Sequence, residues 1–229
     1  MFEKYIIASE KSWNKDMHIS LNKKSDCEFI LLSDQHSLNV ENLRSINPKY
    51  IFFPHWSHII PESIFSEFAC VVFHMTDLPY GRGGSPLQNL ILEGVEDTKI
   101  TALKVVEELD AGPIYMKSPL NLSGSANDIY HRASFVIESM IQKMILEPCP
   151  PAPQTGEPTT FKRRTPKQSN IEKVDRKKTL FDMIRMLDAD GYPHAFTNID
   201  NFRIEFTEVM KNNGEISAKA SFIKINDEV

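Results

Sequence analysis

The feature that most constrains this chain is a rhythm in its first half, where brief apolar runs alternate with longer polar or amphipathic stretches. The runs Tyr5–Ala8, Glu28–Leu32, Tyr50–Phe53, Cys70–Phe73 and Ile100–Val106 are rich in β-branched and aromatic residues and too short for globular helices, so they read as strands. Between them, Asn39–Ile46, Pro61–Phe68 and Pro86–Leu92 read as helices. The last two open on a proline, whose missing N–H costs nothing in a first turn. Ser85 is placed to cap the third and Gly94 to close it. Strands that alternate with helices cross over into a largely parallel sheet, so the expected fold class is α/β with a Rossmann-like domain.

A longer helix is expected after Ser125, whose spacing to Asp128 resembles a capping box. Apolar residues recur there at helical intervals, among them Ile129, Ala133, Ile137, Met140, Ile141 and Met144. The next stretch, Cys149 to Pro158, holds four prolines and reads as a semi-rigid linker. It divides the chain into an expected catalytic domain over 1–150 and a small C-terminal α+β appendage over 160–229. The appendage should contain a helix from Lys178 to Leu187 and a hairpin of strands 202–209 and 216–225 around Lys211-Asn212-Asn213-Gly214.

A chain of 229 residues with 41% hydrophobic and 25% charged residues has an ordinary globular balance. Neither a secretory h-region nor a transmembrane stretch stands in the sequence, so a cytoplasmic location with no membrane partner is expected. Cys27, Cys70 and Cys149 form no C-x-x-C pair, and His55 and His58 lack an obvious third ligand, so no metal is expected. A formal net charge of −5 makes nucleic acid an unexpected partner. A homodimer is left open. The dinucleotide G-x-G-x-x-G, the phosphate-loop and the G-x-S-x-G nucleophile patterns are all missing.

Ligands of an open α/β sheet bind beyond the carboxyl ends of its strands. The fourth strand runs straight into His74-Met75-Thr76-Asp77-Leu78-Pro79-Tyr80-Gly81-Arg82-Gly83-Gly84-Ser85-Pro86. An imidazole at that place can accept and return protons near neutral pH. The fifth strand is followed by Glu107-Glu108-Leu109-Asp110-Ala111-Gly112, and Asp110 could face the same crevice. Alone, His74 reads as a structural histidine and Asp-Ala-Gly as a turn; together they suggest an acid–base pair.

These stretches resemble the 10-formyltetrahydrofolate-dependent formyltransferases, a family that includes methionyl-tRNA formyltransferase and the sugar N-formyltransferases. The family shows Asn-x-His after a strand, then Leu-Pro-x-x-Arg-Gly-x-x-Pro, then Asp-x-Gly. His74, Leu78-Pro79, Arg82-Gly83, Pro86 and Asp110-Ala111-Gly112 fill that pattern. The resemblance implies an enzyme that moves a formyl group from 10-formyltetrahydrofolate, its co-substrate, to a primary amine, with His74 and Asp110 handling protons. It implies folate binding by His55, Trp56, Ile59 and Ile60 of the Pro54–Pro61 loop, with Arg82, Gly83 and Leu109. Met75, Arg163 and Arg164 are expected on the acceptor side, because Arg163-Arg164-Thr165-Pro166 and Tyr192-Pro193-His194-Ala195-Phe196 look like stretches of the sugar-directed branch. The expected acceptor is therefore a nucleotide-linked amino sugar, for surface or flagellar glycan synthesis. The alternatives are methionyl-tRNA, or an inactive folate- or sugar-nucleotide-binding protein. One departure motivates the last: Val72 stands where the family has its asparagine, a donor credited with stabilising the oxyanion. Thr76, a loop N–H or a water would have to replace it.

Overall fold

The computed structural model describes residues 3–174 and 176–225. In chain order the elements are β1 (Lys4–Ala8), α1 (Met17–Lys24), β2 (Glu28–Leu32), α2 (Val40–Ile46), β3 (Tyr50–Pro54), α3 (Glu62–Phe65), β4 (Cys70–His74), β5 (Arg82–Gly83), α4 (Pro86–Leu92), β6 (Asp97–Lys104), β7 (Ile114–Asn121), α5 (Ala126–Leu146), β8 (Thr160–Phe161), α6 (Lys177–Arg185), β9 (Ala195–Ile199), β10 (Phe202–Asn212) and β11 (Glu215–Lys224). Six strands form the main sheet in the order β2-β1-β3-β4-β6-β7. β1 pairs in parallel with β2 and β3, and β3 with β4. The mixed α/β fold with a largely parallel sheet is the one expected.

Two compact units can be distinguished. One takes the described residues up to Gly83, then Thr98–Leu120 and His131–Thr160; the other takes Gly84–Asp97, Asn121–Tyr130 and the described residues from Phe161 onward. The first unit buries Tyr5, Ile6, Ile7, Ile51, Phe52 and Phe53 from the central strands completely or nearly so, with Ile137 and Ile141 of α5. Each buried side chain of that size contributes roughly 1.5–3 kcal/mol. Tyr5, Phe29, Tyr50 and Phe52 add a run of stacked rings. The second unit carries a three-stranded antiparallel sheet, β11-β10-β9. Gln88, buried in α4, donates to Tyr130 Oη at 3.2 Å and Met186 O at 3.1 Å.

The strand read at 100–106 is β6, displaced to Asp97–Lys104, and it runs antiparallel to β4, with His74 opposite Thr101 and Val71 opposite Lys104. It therefore carries the chain away from His74. The Ser125–Asp128 capping box is present, with reciprocal bonds of 2.9 and 3.2 Å. Ser85 does not cap α4: its backbone is left-handed (φ 52) and its Oγ accepts the Arg164 N–H at 3.0 Å. The prolines at 150–158 do exclude regular structure, but the segment is tied down within the first unit. Ala152 and Ile114 exchange backbone bonds of 2.9 and 2.7 Å, and Thr159 N–H donates to Pro79 O at 3.2 Å. Among the described residues no helix is long and apolar enough to cross a membrane.

Candidate active site

The order β2-β1-β3 reverses direction at β1 and β3, which makes the carboxyl ends of those strands a topological switch point. A buried polar knot lies there. Ser9 Oγ donates to Pro54 O at 3.0 Å, and Asn14 Nδ2 reaches Ser9 Oγ at 2.9 Å and Pro54 O at 3.1 Å. Trp13 Nε1 and Asn14 Nδ2 both approach His55 Nδ1, at 3.2 and 3.3 Å. Two donors aimed at one ring nitrogen keep it unprotonated. His55 is half-buried as a residue, yet its Nε2 is enclosed, and burial lowers its pKa to about 3, assisted by the Lys11 charge. Beyond His55, Ile60 is buried, Ile59 is 88% exposed, and Trp56 Nε1 is buried without a hydrogen-bond partner among the described residues. His58 pairs with Glu10 at 3.0 Å.

At the end of β4, His74 is buried, and its Nε2 lies 2.8 Å from Gly81 O. A carbonyl only accepts, so Nε2 carries the proton. Nδ1 faces Asp110 Oδ2 at 3.5 Å, offering a lone pair when the ring is neutral and a charged N–H when it is protonated. Asp110 Oδ2 also accepts the Gly83 N–H at 2.9 Å. Because β6 leads away from His74, the loop after it must double back to deliver the carboxylate. Asp110 makes that turn in the left-handed region, at φ 55. Gly112 then packs against β6 so closely that a Cβ there would stand 1.8 Å from Lys104 O. Asp-Ala-Gly is a turn, and its geometry is what aims the carboxylate.

The structure brings His74, Thr76, Arg82, Gly83 and Asp110 into one cluster. Thr76 is fully buried and its hydroxyl donates to the same Gly81 carbonyl, at 3.4 Å. Arg82 pairs with Glu108 at 2.9 Å. Met75 is buried and Leu109 is 67% exposed. Val72 shares a strand face with His74, since residues two apart point the same way. Arg163 and Arg164 belong to the second unit, where Arg164 Nη2 donates to Gln168 O at 2.6 Å and burial lowers the pKa of the guanidinium.

Sequence reasoning missed Trp13 and Asn14, which lie in a stretch with no motif, and Gln154, inside the segment read as a linker. It also missed the clamp on Asp77. Burial would raise that carboxyl's pKa, but hydrogen bonds and charge from Lys117 and Lys99 outweigh it and hold the pKa below its ordinary value.

Residues 12–141 match the family model for formyl transferase, and residues 166–223 match the one described as methionyl-tRNA formyltransferase, C-terminal domain. A methionyl-tRNA formyltransferase of Thermodesulfovibrio yellowstonii is 26% identical over 83% of this chain and 63% of its own length. The chain spans about three fifths of the curated relatives it matches. A solved structure of methionyl-tRNA formyltransferase from Clostridium thermocellum is 45% identical, covers 97% of this chain and all of its own, and superposes with a TM-score of 0.95. A sugar N-formyltransferase from a Shewanella species covers 91% of this chain and 99% of its own at a TM-score of 0.68 but only 14% identity, which shows the fold alone.

These matches overturn the expected amino sugar nucleotide acceptor, the glycan setting and the reading of nucleic acid as an unexpected partner. The sugar reading leaned on short stretches that do local structural work. Thr165 and Gln168 form a capping box over the turn at Pro166–Ser169, and Ala195-Phe196 opens β9. The charge argument failed because net charge sums over the chain and says nothing of a local field. A family model covering more than half of the sequence and a 45%-identical structure spanning nearly all of it agree that the chain belongs to the formyl transferase family.

Proposed function

We propose that this chain transfers the formyl group of 10-formyltetrahydrofolate to the amino group of methionyl-tRNA. The observation that carries the reading is the 45% identity, over essentially the whole of both chains, to a structure described as a methionyl-tRNA formyltransferase. The match of residues 166–223 to the C-terminal model of that enzyme supports it.

The donor, when bound, supplies an activated formyl carbon. Residues of the Pro54–Pro61 loop fit such a group: Trp56 offers a buried N–H without a partner among the described residues, and Ile59 an exposed apolar side chain. The proton chemistry falls to His74 and Asp110. With the ring neutral, Nδ1 and Oδ2 face each other at 3.5 Å as two acceptors, an arrangement that an amine N–H bridging them would relieve. On attack the amine nitrogen forms a bond to the formyl carbon and loses a proton to Nδ1, and Asp110 steadies the resulting imidazolium. The bond from the formyl carbon to the folate nitrogen then breaks, and Nδ1 returns its proton to that nitrogen as tetrahydrofolate leaves. The Gly81 carbonyl keeps the ring from turning. Holding both reactants against this rigid pair supplies much of the acceleration.

Donor dependence tests the reading. Product should form with 10-formyltetrahydrofolate and not with formate plus ATP; formylation by formate and ATP alone would contradict it. A second reading rests on Val72: a protein that binds folate and methionyl-tRNA but turns over poorly, because the family's asparagine is absent.

A further inference from the structure

We propose that Gln154 is a positioning residue for the His74–Asp110 pair, which it holds through the two loops that carry the pair's supports. The inference rests on the formyl-transfer reading for its meaning and on hydrogen bonding for its evidence. Gln154 comes from the proline-rich segment, which no motif connects with chemistry. Its amide has two donor hydrogens and an oxygen with two lone pairs, and all four are used. Nε2 donates to Asp110 O at 2.8 Å and to Gly112 O at 2.9 Å. Oε1 accepts from Arg82 Nε at 3.2 Å and Nη2 at 2.9 Å.

Each partner adjoins a group that fixes the pair. Asp110 and Gly112 are the turn that aims the carboxylate. Arg82 sits between Gly81, whose carbonyl takes the His74 Nε2 proton, and Gly83, whose N–H binds Asp110 Oδ2. Arg82 also reaches Glu108 in the Asp110 loop. Gln154 thus fastens the loop at 81–83 to the loop at 108–112, with His74 between them. Its own segment is anchored on both sides. Ala152 is bonded to Ile114, and Thr159 takes the Gly81 N–H on Oγ1 at 2.7 Å and the Arg82 N–H on its carbonyl at 2.9 Å. Prolines stiffen the span between these anchors, so the amide is presented already in place.

The test compares Gln154→Met, which keeps the volume and loses all four bonds, with Gln154→Glu, which keeps an acceptor for Arg82 and loses both donors to the Asp110 turn. A shift of ~1 Å in a reacting group can cost about 100-fold. We expect kcat to fall roughly 10- to 100-fold in both variants, with KM for either substrate changed less than about 3-fold, at a temperature well below both midpoints of unfolding. Wild-type kcat in Gln154→Glu would overturn the proposal, as would a loss in either variant that follows only its unfolded fraction. A readout independent of turnover separates this idea from the functional reading. The His74 ring nitrogen resonances should move in Gln154→Met in the same direction as in Asp110→Asn; unmoved resonances sink the positioning role whether or not wild type formylates anything.

Discussion

Asp110 Oδ2 stands 3.5 Å from His74 Nδ1 while accepting the Gly83 N–H at 2.9 Å, so the carboxylate is held beside the imidazole by a bond that does not use it. The chain's own backbone therefore sets the geometry of the pair. His74→Ala and Asp110→Asn should each lower kcat by about 100-fold or more, the size expected of positioned acid–base groups, with folate affinity within a few-fold. Steady-state kinetics with a separate folate-binding titration checks this; equal activity in both variants would refute the proton roles.

Gly112→Ala tests whether the turn depends on close packing. The added methyl would meet the Lys104 carbonyl oxygen at 1.8 Å, a backbone atom that cannot step aside cheaply. We expect destabilisation of roughly 1–3 kcal/mol or more, as for other overpacked sites, together with loss of activity. A thermal midpoint equal to wild type would show that the loop is looser than described.

Val72→Asn addresses the family's missing donor. The side chain shares a face with His74, so an asparagine there could reach an oxyanion formed nearby. Turnover should rise, by about 10-fold or more if no other donor has taken over. Unchanged turnover in a folded variant would mean that a replacement donor already serves.

His55 gives a pH prediction whose sign follows from its environment. Its folded pKa is lowered to about 3 by burial, and an unfolded histidine titrates near ~6.5. Below that value the unfolded chain takes a proton that the folded chain refuses. The stabilisation is thus complete above about pH 6.5 and is lost as pH falls toward 3, at ~1.4 kcal/mol per pH unit from this group. Denaturant unfolding of wild type and His55→Asn between pH 7 and 4 should show a shallower slope in the variant. Parallel slopes would contradict the buried, neutral ring.

Much of this was legible in the sequence because strands and caps are local. Tyr5–Ala8 and Cys70–Phe73 announce themselves by β-branched and aromatic density, and Ser125 with Asp128 by spacing. β6 was misplaced because periodicity carries no information on strand direction, and β7 escaped because its exposed and half-buried residues show no strong alternation. The His74–Asp110 pair was found through its motif, although the geometric reason first given for it was wrong: the antiparallel β6 leads away, and the turn brings Asp110 back. Gln154 could not be read at all, since four prolines around it signal only irregular backbone. The sugar acceptor was misread because a few residues of a C-terminal motif report local capping, which carries no information on the acceptor.

The basic segment from Phe161 to Lys178, with eight basic and two acidic residues, offers a check on a polyanionic acceptor. If it contacts tRNA phosphates, log affinity should fall linearly with log salt, and Arg163→Ala should reduce that slope by about one. Binding indifferent to salt would argue against a phosphate-mediated complex.

The central claim is met most directly by incubating the protein with 10-formyltetrahydrofolate and methionyl-tRNA, releasing the amino acid and weighing it. The account predicts N-formylmethionine, formed by wild type and reduced about 100-fold or more in His74→Ala. Folded wild-type protein that leaves methionine unmodified at saturating donor and acceptor would contradict it.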